Sequence, residues 1–167
     1  MRKLPLLRTS LFSTPRALGW ALLLGALLAP ALARADGWSA LKGRVVVSDA
    51  EFGSYGSDAA MTSAVKKQSK STIKGEGSWT LNLMVFLKEP AGATTLNIVY
   101  YDISVKPHDQ VNFAEVQVQA SQKIVQVNNI SISKDQGFVK GHKYEVRATR
   151  VIGGKEKVYA KGVVQLK

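Results

Sequence analysis

The chain has 167 residues, no cysteine, and 23 basic against 12 acidic side chains, for a formal net charge of +11. Without thiols there can be no disulfide, cysteine nucleophile, zinc thiolate site or lipid-modified N-terminal cysteine, so packing alone must hold the fold. Part of the charge is set apart at the start, because Arg2, Lys3, Arg8, Arg16 and Arg34 flank or precede one apolar run.

That run, ALGWALLLGALLAPALA, follows a basic stretch free of acids and ends in Ala33-Arg34-Ala35. The order of charge, apolar core and small residues is that of a secretory signal peptide, 1–35, cut after Ala35. A retained membrane anchor is the competing reading; Pro30 and the small-residue site favour removal. The expected product is one exported domain, 36–167, periplasmic or secreted, with no later apolar run long enough to span a bilayer. It keeps 18 bases and 12 acids, a net charge of +6. The excess lies from Lys140 onward, since 36–139 balances ten bases with ten acids.

Leu41 to Ser48 reads as a first strand, rich in valine and closed by Asp49. The next segment, DAEFGSYGSD, is a loop by composition, with Phe52 and Tyr55 as isolated aromatics. Asp58 is placed to cap a short helix through AAMTSAVKK, with Met61 and Val65 one turn apart and lysines at its C-terminal end. After Val65 the apolar stripe stops, so VKKQSKSTIKG reads as the helix tail entering a flexible stretch of a long insert, 49–77.

From Ser78 the pattern sharpens. Trp79, Leu81, Leu83, Val85 and Leu87 alternate with Thr80, Asn82, Met84, Phe86 and Lys88, which predicts a strand with one apolar face and one half-polar face. Glu89-Pro90-Ala91-Gly92 turns the chain into TTLNIVYYDIS, apolar on both sides. Past the turn at Lys106-Pro107-His108-Asp109, FAEVQVQA and KIVQVNNISIS alternate more weakly. Asn129-Ile130-Ser131 is a glycosylation sequon within the second of these; the alanine-rich leader looks bacterial, which makes the sequon moot.

The last two strands alternate strictly. Tyr144, Val146 and Ala148 face one way, answered by Val158, Ala160, Gly162, Val164 and Leu166. A two-residue loop would set inward residues opposite outward ones, so a three-residue loop, Ile152 to Gly154, is expected. It pairs Val146 with Ala160, Tyr144 with Gly162, Glu145 with Lys161, Arg147 with Tyr159 and Arg150 with Glu156. A register opposing Arg147 to Lys161 is disfavoured as a like-charge pair.

Seven candidate strands without a sustained helical pattern indicate an all-β fold, a single antiparallel sandwich carrying the insert between strands 1 and 2. Phe138-x-x-Gly141-x-x-Tyr144-x-Val146-x-Ala148 resembles the tyrosine corner of immunoglobulin and fibronectin type III domains. The resemblance covers the C-terminal strands. It implies an Ig-like sandwich in which Tyr144 opens the penultimate strand and bonds back to the upstream loop, a structural role. The chain departs from those domains in lacking the cysteine pair and in carrying the insert, and the likeness implies no ligand.

Chemistry-bearing constellations are sparse. His108 and His142 are the only histidines, and a hydrolase would need one of them beside a carboxylate in a pocket. Gly53-Ser54-Tyr55-Gly56-Ser57 has the letters of a nucleophile elbow in the wrong order. Asp49, Glu51 and Asp58 offer oxygen atoms without calcium-site spacing. Nothing calls for a cofactor or metal, and the chain reads as a non-catalytic binding or structural component of the cell envelope, with a protein or glycan partner. The candidate binding residues are Phe52 and Tyr55 in the loop, Lys66, Lys67, Lys70 and Lys74 in the insert, and Lys143, Arg147 and Lys157 in the last hairpin. A polyanion binder is the charge-driven alternative, with acidic glycan or anionic membrane as partner; nucleic acid is disfavoured because no aromatic interleaves the insert lysines.

Overall fold

The computed structural model describes residues 37–167, and the expected leader lies outside them. Its elements are β1 (Arg44–Ser48), α1 (Asp58–Gln68), β2 (Thr72–Ile73), β3 (Ser78–Phe86), β4 (Thr95–Asp102), β5 (Asp109–Gln117), β6 (Ile124–Ser133), β7 (Lys143–Ile152) and β8 (Lys155–Leu166). No helix among the described residues is long and apolar enough to cross a membrane.

The strands form one nearly closed, barrel-like sheet in the order β5-β4-β7-β8-β1-β3-β6, with β2 on β8. Most pairings are antiparallel; β1 and β2 both run parallel to β8. The β1–β8 junction is a single pair, Arg44 with Lys161, whereas β1 pairs with β3 along its whole length. Inside lie the alternating residues read from the sequence: Trp79, Leu81, Leu83, Val85, Ile98, Tyr100, Tyr144, Val146 and Val164.

From Leu81 onward both faces of β3 are buried. Met84 and Phe86, on the face that looked half polar, pack under α1 with Trp38, Leu41, Val46, Phe52, Met61 and Val65 in a second, smaller cluster. This explains the helix. It buries only Met61, Thr62 and Val65, too little for an isolated helix, so it persists because the sheet needs that cover. Its cap is Ser57 rather than Asp58: the Ser57 hydroxyl accepts from Ala60 N at 3.2 Å, and Asp58 sits in the first turn, where the helix dipole favours its charge.

The stretch expected to be flexible is tied down at both ends. Lys70 N donates to Val47 O at 2.8 Å, Thr72 and Ile73 pair with Gln165 and Leu166, and Ile73 is buried in the main core. Two residues make too short a strand for periodicity to reveal. The first strand is also shorter than expected: Leu41 belongs to a 3-10 turn, Ser39–Leu41, that packs it into the second cluster.

The final hairpin corrects the expected register. Its loop is the two residues Gly153-Gly154, both with positive φ (57° and 76°), which suits the twist of a tight hairpin. Ile152 thus pairs with Lys155 and Arg150 with Lys157 at the tip. The parity error that argued against this loop is absorbed by a bulge: Thr149 faces Val158 but Ala148 faces Ala160, leaving Tyr159 as the extra residue. Inward residues then meet inward ones, Val146 with Gly162 and Tyr144 with Val164. At Gly162 a Cβ would lie 2.1 Å from the Val45 carbonyl oxygen, so glycine lets β1 approach β8.

Candidate functional site

The outer layer built by residues 49–70 creates concave surfaces at either end of α1. Phe52 anchors it. Its ring, an isolated aromatic in a loop by sequence, is 2% exposed in the second cluster. Its backbone is clamped to β6: Phe52 N donates to Asn128 Oδ1 at 3.3 Å, and the Asn128 and Gln126 amides donate to Phe52 O. Asn129, of the sequon, donates to Glu51 Oε1 at 2.7 Å. A loop that looked mobile by composition is thus fixed by side chains about 75 residues away in sequence.

Beyond Phe52 the chain arches over a cleft of about 610 Å³ between loop 53–58, the first turn of α1, and strands β3 and β6. Ser54, Tyr55, Ser57, Gln122 and Gln126 supply neutral polar groups to its wall, Met61, Met84 and Ile124 apolar ones, and Asp58 the one charge. Tyr55 is half-buried, and its hydroxyl has no protein partner.

At the other end of α1, Lys66 and Lys70 converge with Arg44 of β1 on a groove of about 420 Å³ floored by Leu41, Val46 and Val163. Lys70 is also 3.8 Å from Asp49. A neighbouring hollow of about 340 Å³ takes in Lys67. Lys74 is exposed beyond β2.

The hairpin residues lie elsewhere. Arg147 bonds Glu145 at 2.6 Å and Glu156 at 3.4 Å, and its guanidinium stacks 4.1 Å over the Tyr101 ring. Burial pushes Glu145 up, but the hydrogen bond and charge of Arg147, with Lys161 beyond, outweigh it and hold the carboxyl below its ordinary value. Lys157 pairs with Glu89 and lies 5.1 Å over the Tyr159 ring. Lys143 is exposed. Of the nine candidates, then, Lys66 and Lys70 share a groove, Lys67 and Lys70 the hollow beside it, Tyr55 lines the neutral cleft, and the rest are buried, paired or apart.

The histidines diverge. His108 is exposed in the turn before β5. His142 instead bonds through Nδ1 to Oδ2 of the buried Asp102 at 2.6 Å. The other carboxylate oxygen accepts from Ser104 N at 2.8 Å, and the Ser104 hydroxyl accepts from Lys143 N at 2.8 Å. These bonds tie the end of β4 to the start of β7. Among the described residues no three His, Asp or Glu side chains gather as a metal site.

Sequence reasoning missed Arg44, Gln122 and Gln126. Arg44 reads as a strand residue and the glutamines as surface; their distance along the chain from α1 hid that Arg44 joins the groove at one end of the helix and the glutamines the cleft at the other. No family model matches the chain, and no curated protein matches it in sequence. What fold and site define is a class: an all-β domain whose helix layer carries, among the described residues, a polar cleft with Asp58 as its one charge and a cationic groove.

Proposed function

We propose that this chain is an exported, non-catalytic binding module of Ig-like type that works in the cell envelope. The strand order supports the Ig-like reading. With its single β1–β8 pair taken as a seam, the sheet divides into β6-β3-β1 and β2-β8-β7-β4-β5, which resembles the two layers of such sandwiches. The bond from Val139 N to the Tyr144 hydroxyl, 2.7 Å, supports the tyrosine corner. The bonds around Asp102 and His142 support a structural rather than catalytic use for the pair.

The observation that carries the binding reading is the ordered 49–70 layer, which spends a helix and a clamped loop on walling the neutral cleft. Serine, glutamine and tyrosine over an apolar floor suit an uncharged, hydroxyl-rich ligand such as a glycan segment. Gly56 provides the test, because its φ is not positive and a Cβ there meets nothing within 4 Å, so Gly56→Arg should fold and fill the cleft mouth. Titration with neutral envelope oligosaccharides should shift the amides of Ser54 to Asp58, Gln122 and Gln126, and Gly56→Arg should remove the effect. Equal binding by that variant would refute this site. N-terminal sequencing of the exported chain should begin at Asp36.

A second reading, an anion binder, is favoured by the convergence of Arg44, Lys66 and Lys70. The negative end of the helix dipole opposes it there. It predicts heparin retention that falls steeply with salt.

A further inference from the structure

β5 ends the strand order, and no strand among the described residues pairs with its outer edge. Its outward groups follow from one bond. Val118 N donates to Thr94 O at 2.8 Å, continuing the β4–β5 register of Thr95 with Gln117 and Leu96 with Val116. In an antiparallel pair alternate residues turn both backbone groups to the neighbour, so Val116 and Ala114 face β4 while Phe113, Glu115 and Gln117 face out. Phe113 N agrees, because its partner is the Asn112 side chain at 2.7 Å rather than β4.

Edge strands are usually guarded by lysine, proline or a bulge. Here a bulge, where Tyr100 pairs with Asn112 but Tyr101 with Gln110, and the Asn112 cap guard the N-terminal half, while Glu115 is the one charged side chain on the other half. From Phe113 to Gln117 there is no lysine, proline or glycine.

The outer face of this half has a definite chemistry. Phe113 is 60% exposed beside Val99, which it opposes across the ladder. Two residues on, Glu115 opposes Asn97 and makes no ion pair among the described residues. Asp109 and Glu115 are the strand's charges; it has no base.

We infer that the Phe113–Gln117 edge docks an extended, basic segment of another polypeptide, which joins the sheet as an additional strand. Backbone bonds to Glu115 and Gln117, and to Phe113 once its N–H leaves the Asn112 side chain, hold the segment in line, and its side chains alternate in step with the ladder. An apolar residue lies against Phe113, and a lysine or arginine two positions away meets Glu115. A second copy of this chain fits poorly: it brings the same two acids and no base to the seam, and pairing centred on Glu115 sets the two carboxylates face to face.

The probe is an acetylated heptapeptide, Thr-Val-Thr-Lys-Thr-Val-Thr in sequence, which puts valine and lysine two positions apart on one face, titrated into the full exported chain. Amide shifts should centre on Phe113 to Gln117. Hydrogen exchange at Phe113, Glu115 and Gln117 should slow several-fold, with Val116, already bonded to β4, little changed. Glu115→Lys should weaken binding most and Phe113→Ala less, both side chains being exposed and dispensable for folding. A peptide N-methylated on the edge-facing residues keeps its charge and loses its donors, and should not bind. Equal binding by that peptide, shifts centred elsewhere, or a peptide-free dimer protected at these three amides would each overturn the inference.

Discussion

Arg147 lies directly across from Lys161, a like-charge pair at the centre of the last hairpin, and Glu145 bonds both, at 2.6 Å to Arg147 and 3.6 Å to Lys161. The pairing is stable because the carboxylate is shared along the face, a neighbour that counting opposed residues does not include.

A pH dependence follows. A carboxyl held below its ordinary value stabilises the fold above the unfolded-state pKa, about 4.3 for glutamate, and that contribution is lost as pH falls through the lower folded value. Denaturant midpoints measured from pH 6 downward should drop through this window. Glu145→Gln should be less stable at pH 6, with a flatter acid limb; an unchanged limb would remove Glu145 from the account.

Two buried tyrosines should respond oppositely to loss of the hydroxyl. Tyr144 accepts from Val139 N, so Tyr144→Phe leaves that donor unpaired, at a cost of about 1–3 kcal/mol. The Tyr100 hydroxyl is buried with no protein partner, and burial drives its pKa far above the ordinary tyrosine value. Tyr100→Phe keeps the edge-on packing against Phe138, with centroids 5.5 Å apart, and should raise stability by about 1 kcal/mol. Thermal melts of both variants test the pair.

Gly162→Ala tests the β1–β8 junction. The new methyl meets the Val45 carbonyl, backbone that cannot swing aside, so a loss of about 1–3 kcal/mol is expected. Amide exchange should quicken at Lys161, whose N–H donates to Gly43 O at 3.1 Å.

Asp102→Ala removes the acceptor of both Ser104 N and the His142 ring, which should destabilise by about 1–3 kcal/mol. In the unmodified protein, nitrogen NMR of neutral His142 should find the proton on Nδ1. A proton on Nε2 would contradict the bond to Asp102.

Alternation pointed to the all-β class and to the inward residues of β3 and β7, because period-two burial is written along the chain; β8 departs from it at the bulge, where Tyr159 is buried and Val158 only half-buried. The bond from the loop to Tyr144 was expected from the tyrosine-corner resemblance rather than from alternation, and its partners, Val139 and Tyr144, lie five residues apart. Tertiary structure alone decided the rest. Phe52 is buried because Met84 and Phe86 needed cover, the bulge at Tyr159 restores a register that the glycine loop breaks, and VKKQSKSTIKG is pinned by Val47, Gln165 and Leu166. Each of these depends on residues far apart in the chain, which no local pattern of spacing or charge can bring together.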